Sequence, residues 1–283
     1  MVEPPPYLSP SSADAFDGCA RRWKFKYIDG LSEPSGEPAL IGSFAHRVLE
    51  LLCGLPARHR SIDQAKQLAK QTWPEFQEDE DFMALELNND DARNFRWKAW
   101  LAIMGLWQLE DPASVEVVST EEKVRVHLND VPFVGIVDRL DRIRGDLVVT
   151  DYKSGSVPRP RWRDDKLHQV LLYAAAVEAN TGEQPQQARL LYLGQKILQT
   201  TVTDRRLDKA KQQLSDTWAS MQTACETEQF DPSVGPLCGW CPFVEQCDEG
   251  MAYVEKRARE GTLQAHAPAA QLVTIAAATS ATS

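Results

Sequence analysis

The segment from Val148 to Gly155 places an acid and a base at the end of an apolar run. Asp151 and Lys153 are two residues apart, so on a strand their side chains point to the same face. Asp138 ends an earlier apolar run. If these strands pair, two carboxylates and one ammonium group converge, and such oxygen donors with open water positions suit Mg²⁺ or Mn²⁺. The set predicts a metal site that orients a water; ordinary turn acids and a solvated lysine are the alternative.

Three more polar residues are candidates for the same site. His46 lies in a predicted apolar helix, where Glu50 one turn later could orient its imidazole. A lone histidine on such a helix is more often structural than a ligand. Gln169 and Tyr173 are four residues apart on the helix after the Asp151 strand. They form either a helix–sheet contact or a polar pair that faces the cleft.

A separate cysteine motif follows near the C-terminal end. Cys238, Cys241 and Cys247 have the spacing C-x2-C-x5-C, which allows three thiolates to bind one metal centre. Such centres normally have four ligands, and the candidates for the fourth are Cys19, Cys53 and Cys225. The spacing does not choose between zinc and an iron–sulfur cluster. Disulfides are disfavoured if the protein is cytoplasmic.

Three arginines surround a tryptophan shortly after the Asp151 strand. Arg159, Arg161, Trp162 and Arg163 lie in a loop that two prolines stiffen. Guanidinium groups beside an indole ring can bind phosphates and stack on a base. A solvated surface loop explains the same residues equally well.

The net charge of −10 by itself argues against a nucleic-acid partner, but the acids are concentrated in one stretch. Residues 71–92 contain eight acids and no lysine or arginine, which leaves −2 for the rest of the chain. Salt limits the reach of distant charges to about 10 Å. A locally basic groove that binds DNA is therefore compatible with this composition.

These residues are distributed over a helical part and a strand-rich part. Periodicity predicts helices over residues 9–27, 41–52, 61–73, 92–109, 165–178 and 204–223. Short β-branched runs predict strands over residues 115–118, 121–128, 133–140, 147–152, 188–193 and 197–202. The first four strands are expected to form an antiparallel meander. We expect an α/β or α+β core that the preceding helices cover.

The sequence divides into four predicted parts. They are a helical part at 1–110 that carries Cys19 and His46, a core at 111–225, a cysteine segment at 226–262 and a disordered tail at 263–283. No run of about 18 apolar residues predicts a membrane span. The first residues lack the basic and apolar regions of a signal peptide. We therefore expect a cytoplasmic protein with reduced or metal-bound thiols.

Taken together, the motifs resemble the RecB-like branch of the PD-(D/E)XK nuclease superfamily. The likeness is greatest to exonucleases with an iron–sulfur cluster, including CRISPR-associated ones and the nuclease domain of AddB, and it extends from about Leu8 to Cys247. The motifs are, in chain order, Leu8-Ser9-Pro10-Ser11-Ser12 with Cys19-Ala20-Arg21-Arg22-Trp23, Gly42-x-x-x-His46, Gly135-x-x-Asp138, Asp151-x-Lys153, Gln169-x-x-x-Tyr173 and the three C-terminal cysteines. Ala20 and Ser154 depart from the common proline and threonine.

The resemblance implies a restriction-endonuclease-like α/β core with a helical N-terminal extension and a C-terminal Fe–S segment. It makes Cys19 the fourth ligand of a [4Fe–4S] cluster and His46 a ligand of Mg²⁺ or Mn²⁺. Asp138, Asp151 and the backbone carbonyl of Tyr152 would complete the metal site. Lys153 would position the attacking water, and Gln169 and Tyr173 the DNA backbone.

The implied activity is cleavage of DNA by an exonuclease that acts on single-stranded ends, 5′→3′, in repair, recombination or defence. A helicase or a repair protein is a possible partner. Two alternatives share the fold. One is a non-catalytic module that binds DNA ends, against which the intact set of Asp138, Asp151 and Lys153 argues. The other is a structure-selective endonuclease.

Overall fold

A computed structural model describes residues 2–273 of the chain. The fold consists of two compact units, which we name by their contents. The sheet unit comprises residues 7–10 and 34–215. The described part of the cysteine unit comprises residues 2–6, 11–33 and 216–273. The predicted helical part at 1–110 is thus divided, with Cys19 in the cysteine unit and His46 in the sheet unit.

A five-stranded mixed sheet forms the centre of the sheet unit. Its strands are β1 (Glu116–Leu128), β2 (Val131–Ile143), β3 (Asp146–Lys153), β4 (Gln187–Tyr192) and β5 (Lys196–Thr201), and they lie in that order. The first three strands form an antiparallel meander, as the sequence predicts, while β3 and β4 are parallel and β5 is again antiparallel. The parallel pair requires a crossover connection, which a helix provides.

The predicted strands at 115–118 and 121–128 are one long strand. A register shift between Val117 and Ser119 interrupts the pairing of β1 without ending the strand. The two-residue turn from β1 to β2 pairs Leu128 with Val131. Asn129 adopts a positive φ of 51° there, which asparagine tolerates better than most residues.

Helices cover the sheet. The ones in the sheet unit are α3 (Glu37–Cys53), α4 (Ile62–Phe76), α5 (Glu80–Met83), α6 (Asn89–Met104) and α7 (Arg163–Thr181). The acidic stretch coincides with two helix starts: the Asp79 side chain caps α5, and Asn88 caps α6 ahead of Asp90 and Asp91. Acids in a first turn are favourable beside the positive end of the helix dipole, so much of this charge has a structural role.

The crossover helix α7 packs closely on β2. A Cβ atom added to Gly135 would lie 2.8 Å from Cε1 of Tyr173, closer than side chains tolerate. Glycine at position 135 therefore allows the Tyr173 ring to lie against the strand next to Asp138.

The cysteine unit contains α1 (Pro10–Gly18), α2 (Ala20–Tyr27), the end of α8 (Asp204–Thr227) and α9 (Asp248–Arg259). The single helix predicted over 9–27 is wrong, because Cys19 is extended (φ −166°, ψ 107°) and separates α1 from α2. The Trp23 side chain anchors α2, since its ring is buried against Phe16 and Phe230 and its indole N–H donates to Ser12.

Part of the range predicted as a tail is packed. Ala267 and Ala269 are buried, and Leu263 lies against the apolar cluster that contains Val244 and Val254. The last predicted tail residues, 274–283, lie outside the described part of the chain. Among residues 2–273, no helix combines the length and the apolar character that a membrane span requires.

Candidate active site and cysteine cavity

An open cleft of about 630 Å³ lies at the edge of the sheet where β3 ends. It brings together the predicted metal and catalytic residues, which come from α3, β2, β3 and α7. These are His46, Asp138, Asp151, Tyr152, Lys153, Gln169 and Tyr173. The strands and helices therefore gather side chains that are up to 127 positions apart in the sequence.

Three carboxylates form a row across three adjacent strands. Arg139 pairs with Thr150, and extending that register by one residue places Asp138 opposite Asp151. On its other side, the β1–β2 register places Glu121 opposite Asp138. Glu121 has a positive φ of 49°, a conformation that costs free energy for a residue other than glycine and is found at functional sites.

Glu121 was not among the predicted site residues. A signal for it exists in the sequence, because a two-residue hairpin turn at Asn129 and Asp130 fixes which residues of the two strands face each other. Counting back from that turn places Glu121 beside Asp138. The predicted strand at 121–128 begins with Glu121, so the hairpin register alone carries this signal.

His46, Glu121 and Asp138 form a potential metal site. One ligand atom from each residue lies within 4.8 Å of the other two. The His46 Nδ1 atom is 3.3 Å from Asp138 Oδ2, and the same carboxylate oxygen accepts a 2.7 Å hydrogen bond from the Tyr152 amide. Imidazole and carboxylate donors around a crowded set of negative charges fit a divalent cation.

Lys153 joins the carboxylates to α7. Its Nζ atom lies 2.8 Å from Asp151 Oδ2. This contact is ionic, because the geometry at that buried oxygen does not meet the criteria of a hydrogen bond. The same ammonium group donates to Gln169 Oε1 at 3.1 Å, and Gln169 Nε2 donates to the Tyr173 hydroxyl at 3.1 Å. The polar pair on α7 thus faces the cleft, as one of the two sequence interpretations requires.

The crowding of the acids appears in their pKa values. Burial and the charge of Asp138 raise the pKa of Glu121 to about 7 and that of Asp151 to about 6. Burial would lower the pKa of His46, but its hydrogen bond to Asp138 and the charges of Asp138 and Asp151 raise it overall. A bound cation would relieve the same repulsion.

The Gly42-x-x-x-His46 spacing has a direct structural cause. The two residues are one helical turn apart on α3, so they share the face that lies over the end of β3. A Cβ atom on Gly42 would lie 2.6 Å from Ser154 Oγ. The absence of a side chain there lets α3 approach the chain just after Lys153 and brings His46 over Asp138.

The opposite face of the same strands holds a buried ionic network. Arg139 contacts Glu110 at 2.5 Å and Asp141 at 2.7 Å, and Arg189 contacts Asp141 at 2.9 Å. Arg139 also donates to the Tyr152 hydroxyl at 2.9 Å. Because side chains alternate along a strand, this network supports the carboxylate row from behind.

The cysteine unit contains the second predicted site. Cys19, Cys238, Cys241 and Cys247 line one cavity. Backbone N–H groups of Ser233 and Gly235 donate to the sulfurs of Cys19 and Cys238, each at 3.4 Å. The cavity also contains Arg21 and Arg22. Burial raises the pKa of the Cys241 and Cys247 thiols, and the charges of Arg22 and Arg21, respectively, oppose that rise. The remaining cysteines, Cys53 and Cys225, are buried and are not part of its lining.

The predicted arginine loop is not part of the cleft. Arg159, Arg161, Trp162 and Arg163 are absent from its described lining. The loop forms a short 3₁₀ turn at Pro160–Trp162 before α7. The Arg161 guanidinium lies 5.1 Å from the Trp162 ring centre, and Trp162 is 50% exposed. Both side chains are exposed and available on the surface.

Comparison with known proteins gives a family. A search of curated proteins found no match. Among solved structures, the fold is similar to the crystal structure of a putative exonuclease from Eubacterium rectale, with 15% sequence identity and a TM-score of 0.53. That match covers 80% of this chain and 84% of the other, and at this identity it concerns the fold alone. The family model of the PD-(D/E)XK nuclease superfamily matches residues 7–248, and the chain therefore belongs to that superfamily.

Proposed function

We propose that this chain is a Mg²⁺- or Mn²⁺-dependent exonuclease that degrades single-stranded DNA from its 5′ end. The observation that carries the proposal is the row of Glu121, Asp138 and Asp151 beside the Lys153 ammonium group in one open cleft. A module that only binds DNA gains nothing from three adjacent carboxylates, because they repel phosphates. The superfamily of the chain supports the nuclease assignment.

The cation would be held by His46, Asp138 and Glu121, with Asp151 and the Tyr152 carbonyl as the remaining donors. The first three already have ligand atoms within 4.8 Å of one another. A divalent cation supplies Lewis acidity and neutralises the negative charge that develops on a phosphate during hydrolysis. The ionic network of Arg139, Asp141 and Arg189 on the other face of the strands would keep the carboxylates in place when the cation is absent.

Lys153 acts on the reacting phosphate and on the attacking water. Its ammonium group is held between Asp151 and Gln169, so its position is fixed before substrate binds. Preorganised positive charge lowers the barrier because no rearrangement is needed as charge develops. Gln169 and the Tyr173 hydroxyl line the α7 side of the cleft and position the DNA backbone there.

DNA outside the cleft would contact the arginine loop. Arg159, Arg161 and Arg163 bind phosphates, and Trp162 offers an exposed ring for stacking. An enzyme that degrades single strands requires unwound DNA, which a helicase or another repair or recombination protein would supply. The biological setting would be repair, recombination or defence against foreign DNA.

The four cysteines of the cavity would bind a [4Fe–4S] cluster, as in the RecB-like branch with that cofactor. Support comes from their common cavity and from the N–H groups directed at two of the sulfurs, since hydrogen bonds to the ligand sulfurs are usual at such clusters. The cluster would be structural, because it lies outside the cleft lining and hydrolysis transfers no electrons.

Cleavage of labelled single-stranded DNA tests the function. Wild-type protein with Mn²⁺ should release 5′-phosphorylated products from a linear strand, and EDTA should stop the reaction. A block on the 5′ end should protect the strand, whereas a 3′ block should not. A circular single strand should stay intact. Its cleavage would indicate an endonuclease instead.

Variants separate catalysis from binding. Asp151→Asn and Lys153→Ala should lose cleavage but still bind DNA, because Asp151 would hold the cation and Lys153 would act on the reacting phosphate, whereas the arginine loop binds DNA outside the cleft. Asp208→Asn and Lys209→Gln, which change exposed residues on α8, serve as matched controls with wild-type rates. If the wild-type protein binds DNA ends but never cleaves them with either metal, the chain is a binding module.

A further inference from the structure

Helices α4 and α6 form a second groove in the sheet unit, which the function proposed above does not use. The groove has a volume of about 400 Å³ and is lined by the buried side chains of Phe44 and Ile103 and by two half-buried indoles, Trp73 and Trp100. A third indole, Trp97, is 58% exposed. Clustered aromatic rings that remain in solvent mark an interaction surface.

The charges in this groove all have the same sign. Lys66 and Lys70 from α4 and Arg96 from α6 are exposed, and no acidic residue belongs to the described lining. The Arg96 guanidinium lies 5.2 Å from the centre of the Trp73 ring. Because the whole chain carries −10, this local positive charge opposes the overall composition. A partner that is anionic and carries flat apolar groups is complementary to it.

The spacing along both helices accounts for the groove. Lys66, Lys70 and Trp73 recur at intervals of four and three residues and share one face of α4. Arg96 and Trp100 are one turn apart on α6. The two faces meet over Phe44 of α3. On each helix the cations precede the rings, so the groove presents cations and rings side by side.

We propose that the α4–α6 groove binds single-stranded DNA. Unpaired bases would stack on Trp97 and Trp100, while the two lysines and Arg96 contact phosphates. Stacking on aromatic side chains tolerates any sequence because every base has a π face. A duplex buries the faces of its bases, so it fits this surface less well. The inference rests on the proposed function, since it adds a second contact for the same substrate.

The groove and the cleft lie on opposite sides of α3. Phe44 lines the groove and His46 lines the cleft, and residues two apart on a helix are rotated by about 200°. A strand that occupies both sites must pass around a helix about 10–12 Å wide. Only oligonucleotides long enough to pass around α3 would therefore gain affinity from occupying both sites at once, so the probes must be of that length.

Binding of oligonucleotides by the full chain in EDTA tests the groove without cleavage. Two fluorescent probes of equal length are used, a single-stranded oligothymidylate and an abasic strand with the same phosphates. Trp97→Ala should weaken binding of the first about fivefold or more and of the abasic strand less than twofold, because only the first can stack. Trp97→Phe retains a ring and should keep most of the affinity.

The lysines are tested by salt dependence. Lys66→Gln combined with Lys70→Gln should weaken both probes and lower the salt slope by about 1.4, since each phosphate contact on a single strand contributes about 0.7. Lys209→Gln changes an exposed residue of α8 and is the control, so it should leave the salt slope unchanged.

A small chromogenic phosphodiester that fills only the cleft distinguishes the two proposals. The wild-type protein should hydrolyse it, because this reaction requires the cleft and not the groove. Trp97-dependent DNA binding by a protein that cleaves nothing would refute the nuclease and leave the groove proposal intact. Unchanged oligothymidylate affinity in Trp97→Ala, or an equal loss with the abasic strand, would overturn the groove proposal. So would sedimentation data in which Trp97→Ala abolishes self-association but leaves DNA binding unaltered.

Discussion

The amide of Tyr152 donates a 2.7 Å hydrogen bond to the Asp138 carboxylate at the point where the β2–β3 ladder ends. The hydroxyl of the same tyrosine accepts a hydrogen bond from Arg139 on the other face of the sheet. Tyr152 is thus held from both sides, by the carboxylate row in front and by the ionic network behind. This residue links the stability of the sheet to the position of a proposed metal ligand.

Tyr152→Phe should destabilise the chain without abolishing cleavage. The change removes the hydroxyl that Arg139 Nη1 contacts at 2.9 Å but leaves the backbone amide bound to Asp138. A buried hydrogen bond to a charged group contributes about 1.5–3 kcal/mol. Urea unfolding should show a loss of that size. An unchanged midpoint would mean that Arg139 finds an equivalent acceptor.

Asp141→Ala should be more damaging, because it removes the better buried of the two carboxylates that Arg139 and Arg189 share, the other being Glu110. Asp141 is fully buried and contacts both Arg139 and Arg189. Removing one member of a buried ion pair costs about 3–5 kcal/mol. Asp208→Ala, which breaks an exposed pair with Lys211, is the control and should cost less than about 1 kcal/mol. Equal losses of unfolding free energy in Asp141→Ala and Asp208→Ala would contradict a stabilising role for the buried ionic network.

The sequence predicted the strands of the core well, because β-branched runs and turn residues mark them locally. Long-range relationships were harder to predict. The β1 strand was divided at Ser119 because a bulge has no strong compositional signal, although residues on both sides of it were predicted as strands. The extended conformation of Cys19 was also missed, since the helical pattern continues on both sides of it.

The site shows the same contrast. Asp138, Asp151 and Lys153 could be placed together because strand periodicity and pairing are simple rules. His46 could not be placed from its own surroundings, and only the resemblance to a family indicated its role. The α4–α6 groove was not foreseen either. Trp73, Trp97 and Trp100 fit the pattern of core residues in amphipathic helices, and which helix faces stay uncovered depends on packing between distant segments.

Glu121→Gln should weaken metal binding while it spares the metal-free fold. The carboxylate lies in the repelling row next to Asp138, so neutralising it removes repulsion when no cation is bound. We expect the Kd for Mn²⁺, measured by calorimetry, to rise about tenfold or more. The metal-free Tm should stay equal or increase. Glu122→Gln alters the adjacent residue and should change neither quantity; a wild-type Mn²⁺ affinity in Glu121→Gln would exclude Glu121 as a ligand.

Substitution of the proposed cluster cysteines should remove the colour of the protein and destabilise the cysteine unit. Cys19 lies between α1 and α2, whereas the other three cavity cysteines lie more than 200 positions later, so a shared cluster would close a very long loop. Closing such a loop restrains the unfolded chain. Protein purified without oxygen should be brown with absorbance near about 400 nm, a property of iron–sulfur clusters. Alanine at any of the four cavity cysteines should remove the colour and lower the Tm.

The buried cysteines outside the cavity provide the matched controls for that experiment. Cys53→Ala and Cys225→Ala remove thiols of the same kind from packed surroundings, so both variants should keep the colour. Iron, sulfide and zinc analysis then identifies the metal. Colourless protein with one zinc per chain would refute the iron–sulfur cluster but preserve the cross-link between Cys19 and the C-terminal cysteines. A brown Cys19→Ala variant with the wild-type Tm would instead show that another residue supplies the fourth ligand, and the extended conformation at Cys19 would then require a different explanation.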